Sequence, residues 1–158
     1  MIRGVHHVSL ATTDLDRFLH FYRDLMGATV RGVFELRPGE NKPLETIVGM
    51  KDLEGRAAGL ALANMNLEVF CYTQPKPRPG ERRPACDAGI RHICFDVTDI
   101  FSEYERLRAA GVDFISPPQK LGDAGVASCY LYDPDGNIIE LQEIFAGSSV
   151  APAPGAQA

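Results

Sequence analysis

The chain has 158 residues, 45% hydrophobic and 23% charged, enough for one domain with a real core and too few for two ordinary ones. Its 16 Lys and Arg against 21 Asp and Glu leave a formal net charge of −5, which provides no electrostatic basis for nucleic acid or an anionic membrane surface as partner. No run approaches the ~20 apolar residues of a membrane span. The opening MIRGVHHVSL has no basic stretch followed by an apolar one, so a cytoplasmic protein without a signal peptide is expected.

Taken in order, the chain shows an internal repeat. His7-Val-Ser-Leu-Ala-Thr-Thr-Asp14 and His92-Ile-Cys-Phe-Asp-Val-Thr-Asp99 each start on a histidine and end on Thr-Asp. A helical stripe follows each copy: Leu15, Phe18, Leu19, Tyr22 and Leu25, then Ile100, Tyr104 and Leu107. Asp14 and Asp99 are the expected N-caps, and Gly27 and Gly111 the expected stops. Strands are expected at 29–36, 57–63 and 66–72 in the first half, and at 112–115, 125–132 and 137–144 in the second. Asp133-Pro134-Asp135-Gly136-Asn137 marks a turn between the last two. Each half therefore reads strand, helix, three strands, and the fold class is α+β with two βαβββ modules.

The halves differ in length. From His7 to Glu68 is 61 residues, whereas from His92 to Glu140 is 48. The surplus fits Pro43–Asp52, where Leu44, Ile47 and Val48 suggest a short added helix. Module one is read as about 4–74, the linker as about 75–87 and module two as about 88–145, all within one domain of residues 1–146. The linker holds Arg78, Arg82 and Arg83 and is expected to be solvated rather than an anion site. Residues 147–158, small and proline-rich, are expected to be a disordered tail. Cys71, Cys86, Cys94 and Cys129 form no C-x-x-C pair and are expected to be reduced packing thiols, Cys94 being notable for its place two residues after His92.

Side chains two apart on a strand share a face. Glu68 is flanked by Leu67 and Val69, and Glu140 by Ile139 and Leu141. A glutamate in an apolar strand is costly unless its charge is compensated. Two such acids, each in a half that also offers a matching histidine, suggest one shared divalent cation. Two imidazoles and two carboxylates suit Ni, Co, Zn, Fe or Mn. The candidate metal ligands are thus His7, Glu68, His92 and Glu140. His6 competes with His7, and aligning the Thr-Asp pairs favours His7. His20 and Glu143 are expected to be solvated. Phe34, Phe70, Tyr72, Phe95 and Tyr130 are candidate pocket aromatics, with core packing the commoner fate of aromatics in strands.

HHVSLATTDLDRFLHFYRDLMG, LEVFCY, RHICFDVTDI and YLYDPDGNIIELQE together resemble the vicinal oxygen chelate superfamily, which includes glyoxalase I, methylmalonyl-CoA epimerase, extradiol dioxygenases, and bleomycin and fosfomycin resistance proteins. The resemblance runs over roughly residues 4–145. It implies an open mixed β-barrel around a metal, helices outside, often as a homodimer, acting on a small-molecule substrate. Glyoxalase I and the epimerase draw His, Glu or Gln, His and Glu from the two halves, and His7, Glu68, His92 and Glu140 fill those places. Extradiol dioxygenases need only the set matching His7, His92 and Glu140. The filled fourth place favours metal-assisted proton transfer next to a carbonyl, with Glu68 and Glu140 as the candidate catalytic groups, over oxygenation by an extradiol-type ring-cleaving dioxygenase. A protein that sequesters a drug or metabolite in the same cavity without turnover stays open as an alternative. The glutathione and coenzyme A contacts of these relatives are not recognisable, so no particular substrate is implied.

Overall fold

The computed structural model describes residues 1–152 and 154. The chain divides into two compact units, Met1–Gly80 and a second beginning at Glu81, so the division falls inside the expected linker.

Unit one contains β1 (Val8–Ala11), a first helix α1 (Leu15–Leu19), β2 (Thr29–Leu36), α2 (Lys42–Val48), β3 (Glu54–Leu62) and β4 (Met65–Gln74). Its four strands form one sheet in the order β1-β4-β3-β2, with β1 parallel to β4 and the other pairs antiparallel. Asp14 caps α1 by accepting the Arg17 backbone N–H at 3.0 Å. Beyond Leu19 the helix widens into a π-helical segment, His20–Leu25, in which the Met26 N–H reaches back to the Phe21 carbonyl. That widening alters the expected stripe. Phe21 joins Leu15, Phe18, Leu19 and Tyr22 among the buried residues, while Leu25 is only partly covered. These side chains bury one apolar layer, and Leu60, Leu67 and Val69, all at most 1% exposed, supply another from the sheet. Burying each such aliphatic side chain is worth about 1.5–3 kcal/mol. The added helix α2 lies where the surplus residues were expected.

Unit two contains β5 (His92–Asp96), α3 (Ile100–Ala109), β6 (Gln119–Lys120), β7 (Val126–Tyr132) and β8 (Ile138–Ile144). Its sheet runs β5-β8-β7-β6, the same order as in unit one. Each unit is therefore a βαβββ module in an α+β chain, and each sheet is open rather than closed on itself. Ile100 and Leu107 of α3 are buried, as are Cys129, Leu131, Ile139 and Leu141 of the sheet. Tyr104, the third member of the expected stripe, packs edge-on against Phe114 at 4.7 Å.

Two expectations are corrected. The strand expected at 112–115 is reduced to a single bridge, Phe114 with Leu131, and regular pairing resumes only at β6. The intervening Pro117 and Pro118 have no N–H to give to a ladder. Glu143 is not merely solvated: its carboxylate accepts the Asp99 and Ile100 backbone N–H groups at 3.1 and 3.0 Å. This satisfies free amides at the start of α3, where negative charge is favoured. The linker arginines Arg78, Arg82 and Arg83 are exposed, as expected, and two of them also make surface contacts. Arg82 pairs with Asp113 at 2.6 Å and lies 4.1 Å over the Tyr132 ring, and Arg83 pairs with Asp87 at 3.2 Å.

Of the tail, residues 153 and 155–158 lie outside the described residues. At its start, the Ser148 hydroxyl donates to the Ala124 carbonyl at 2.6 Å and accepts the Val150 N–H at 3.0 Å.

The turn joining β7 to β8 is held by Asp133, 4% exposed. Its carboxylate accepts the backbone N–H groups of Asp135 and Asn137 and the Asn137 side-chain amide, at 2.8–2.9 Å. Asp133→Ala strands these donors in a half-dry turn and is expected to lower unfolding free energy by about 2–4 kcal/mol. Chemical denaturation followed by circular dichroism checks this.

Candidate metal centre

In unit one, His7 stands immediately before β1, and Glu68 sits in the middle of β4. The parallel register pairs Ser9 with Glu68, so Glu68 is level with the residue two places after the histidine. His7 Nε2 lies 3.6 Å from Glu68 Oε2. The lead into β1 is tied to the sheet by Asn66, whose side-chain amide donates to the His6 carbonyl at 3.1 Å. His6 and His7 lie within hydrogen-bond distance through their Nδ1 atoms, 2.8 Å apart, which leaves Nε2 of His7 facing the carboxylate.

In unit two, His92 opens β5, and the register pairs Cys94 with Glu140. Glu140 is thus again level with the residue two places after the histidine, although the sequence spacings differ. His92 Nε2 lies 3.0 Å from Glu140 Oε2. The Ser128 hydroxyl on β7 donates to Glu140 Oε1 at 2.5 Å. The Tyr130 ring packs 5.3 Å from that of His92.

The two carboxylates differ in setting. The Glu140 side chain is 14% exposed and held by Ser128. The Glu68 side chain is 42% exposed and accepts no hydroxyl hydrogen bond among the described residues. Desolvation, the Glu140 charge and a hydrogen bond to Glu140 push the Cys94 thiol up to about 12. Cys94 is therefore a protonated donor at neutral pH rather than a nucleophilic thiolate. Cys129 is pushed up to about 11, by desolvation and then by Glu140. The Tyr130 and Tyr72 phenols are raised for the same two leading reasons, with Glu68 acting on Tyr72.

A cavity of about 420 Å³ opens beside the first pair, lined by His6, His7, Glu68 and several apolar side chains of unit one. Of the candidate aromatics, Phe34 and Phe70 line it. Phe70 also stacks on Tyr72 at 5.3 Å. Sequence reading did not single out Ser128, Asn66, Arg31 or Gly59. Of these only Gly59 carried a signal, a glycine inside a strand pattern.

The structure brings the four candidate ligands together as two pairs, His7 with Glu68 and His92 with Glu140. Among the described residues no group of three or more His, Cys, Asp or Glu is gathered for a metal ion. The donor chemistry of each pair fits a divalent cation. Two donors at ~2.0–2.2 Å from one cation, at tetrahedral or octahedral angles, stand ~3.0–3.5 Å apart. The observed 3.0 and 3.6 Å are close to that range. No helix among the described residues is long and apolar enough to cross a membrane.

Each module of this duplicated βαβββ fold carries a His–Glu pair at the same register of its sheet. The chain belongs to the Glyoxalase/Bleomycin resistance protein/Dioxygenase superfamily, whose family model matches residues 4–141. It is 28% identical over 150 residues to the ethylmalonyl-CoA/methylmalonyl-CoA epimerase of Cereibacter sphaeroides, covering 91% of this chain and 100% of that protein. A glyoxalase family protein from Bacillus cereus shares the fold with a TM-score of 0.82 at 19% identity, covering 92% of this chain and 97% of that one. A fosfomycin resistance protein from Listeria monocytogenes, crystallised with Mn(II) and 1S,2S-dihydroxypropylphosphonic acid, matches with a TM-score of 0.64 at 20% identity. That match covers 94% of this chain and 96% of that one.

Proposed function

We propose that this protein is a divalent-metal-dependent enzyme of the epimerase or glyoxalase I type, moving a proton on a carbon next to a carbonyl in a small metabolite or thioester. The observation that carries the reading is the shared register: Ser9 opposite Glu68 and Cys94 opposite Glu140 give each module one imidazole and one carboxylate at matching places. In this reading His7, Glu68, His92 and Glu140 hold one cation. When bound, a divalent cation supplies Lewis-acid stabilisation to a carbonyl oxygen on which charge develops.

The chain's own groups divide the remaining work. Glu140, fixed by the Ser128 hydroxyl, keeps one carboxylate in place beside His92. Glu68, half exposed and without that restraint, takes the proton from the carbon acid and returns it. The cavity beside it seats the substrate and sheds water from the reacting carbon. The epimerase relative and the Mn(II)-bound structural neighbour support the proton-transfer chemistry and the cation respectively.

The test is direct. Protein purified without chelator is analysed for metal, then incubated in D₂O with methylmalonyl-CoA and, separately, with the hemithioacetal of methylglyoxal and glutathione. Stoichiometric metal and one deuterium on the carbon next to the carbonyl of either compound are expected by mass spectrometry. Protein that holds no metal, or that exchanges neither compound, overturns the reading.

A further inference from the structure

The row of side chains crossing the first sheet at the level of Glu68 is nearly empty. Glu68 on β4 pairs with Gly59 on β3, which pairs with Gly32 on β2. Paired residues share a face, so a floor without side chains runs outward from the carboxylate. It is closed at its far end. A Cβ placed on Gly32 would meet the Phe34 ring at 3.0 Å, so that ring lies over Gly32. The register slips between Val30 and Gly32, and the extra residue of this bulge is Arg31. A bulge re-aims its side chain, and here the Arg31 Cβ lies 4.0 Å from where a Cβ on Gly59 would stand. Arg31 therefore rises on the same face as the trough and lines the cavity. No carboxylate pairs with it among the described residues.

The trough over Gly59 thus has Glu68 at one end, with Arg31 and Phe34 at the other. The two ends are two strand spacings apart, ~10 Å between backbones, and the long arginine side chain reaches back across that gap. A guanidinium at the end of an apolar slot is suited to a carboxylate or a similar planar oxyanion.

We infer that this trough seats a compact, anionic acyl group: the carbon acid lies over Gly59, its acidic group pairs with Arg31, and Gly59 limits its size. The inference rests on the proposed proton-transfer reading for the role of Glu68, whereas anion recognition by Arg31 stands on the trough alone. Gly59 is an unusually clean probe. It has ordinary backbone angles, and a Cβ there would touch only Arg31, in ordinary contact. Gly59→Ala therefore folds and places its methyl in the slot.

The test measures binding of methylmalonate and of its uncharged diamide by titration calorimetry. Wild-type protein, Arg31→Ala, Arg31→Lys and Gly59→Ala are compared, each checked for fold by circular dichroism and for bound metal. Wild-type protein is expected to prefer the dianion. Arg31→Ala should lose about tenfold or more in affinity for it with little change for the diamide. Arg31→Lys should recover part of the preference. Gly59→Ala should weaken both ligands by about fourfold or more, the worth of one displaced methylene. Equal binding by Arg31→Ala and wild type, unchanged binding by Gly59→Ala, or no binding by wild type overturns the inference. Absence of metal or of deuterium exchange, with the Arg31 and Gly59 effects intact, counts against the proposed reaction alone.

Discussion

Glu68→Gln is expected to slow deuterium exchange into substrate by about 10²–10⁴, the usual worth of a positioned general base. The change keeps the shape of the side chain and removes its basicity. Because the Glu68 side chain is 42% exposed and, among the described residues, pairs with His7 alone, its loss of charge leaves the fold intact. Glu140→Gln serves as the contrast. Its carboxylate also anchors the Ser128 hydroxyl, and a glutamine oxygen still accepts that bond. If Glu140 chiefly holds the cation, its variant loses metal and rate together, whereas Glu68→Gln loses rate by more than its loss of metal explains. Exchange measured by mass spectrometry beside metal content separates these outcomes. Full exchange in Glu68→Gln would remove Glu68 from the chemistry.

The second large effect is on metal content. His92→Ala is expected to weaken cation affinity by more than about 100-fold, beyond the ~10–100-fold lost when a group that merely orients a ligand is removed. The His92 side chain is 37% exposed, and its ring lies tilted 5.3 Å from that of Tyr130. Truncation opens no core cavity, and stability of the metal-free protein should change by less than about 0.5 kcal/mol. Metal analysis after gel filtration, with a thermal melt of the chelator-treated protein, reads both quantities. His7→Ala should behave alike, since the reading gives the two modules equal shares. Retention of stoichiometric metal in His92→Ala would separate the unit-two pair from any cation site.

Much of the fold was legible because its signals are local. The Thr-Asp pairs announce the caps that Asp14 and Asp99 form, and alternation places Leu67 and Val69 on one face and Glu68 on the other. The Asp133 turn follows from a five-residue motif. Where the reading failed, a neighbour distant in sequence had intervened. Phe21 is buried where the first helix widens into the π-helical segment from His20 to Leu25, which the regular spacing of three and four does not describe. Glu143 looks like a solvated residue until the start of α3, more than forty residues earlier, is placed against it.

The candidate site divides along the same line. From the residues alone come the duplicated module, the pairing of one histidine with one glutamate in each half, and the preference for His7 over His6, because repetition and a period of two are written within short segments. Strand register was decided only in three dimensions. It sets Glu68 against Ser9 and Gly59, Glu140 against Cys94 and Tyr130, leaving open space beside the first acid and an aromatic ring beside the second. Ser128 reaches Glu140 and Arg31 reaches the trough for the same reason. Contacts across a sheet depend on which strands lie side by side and on where a bulge falls, and neither is encoded in the spacing along one strand.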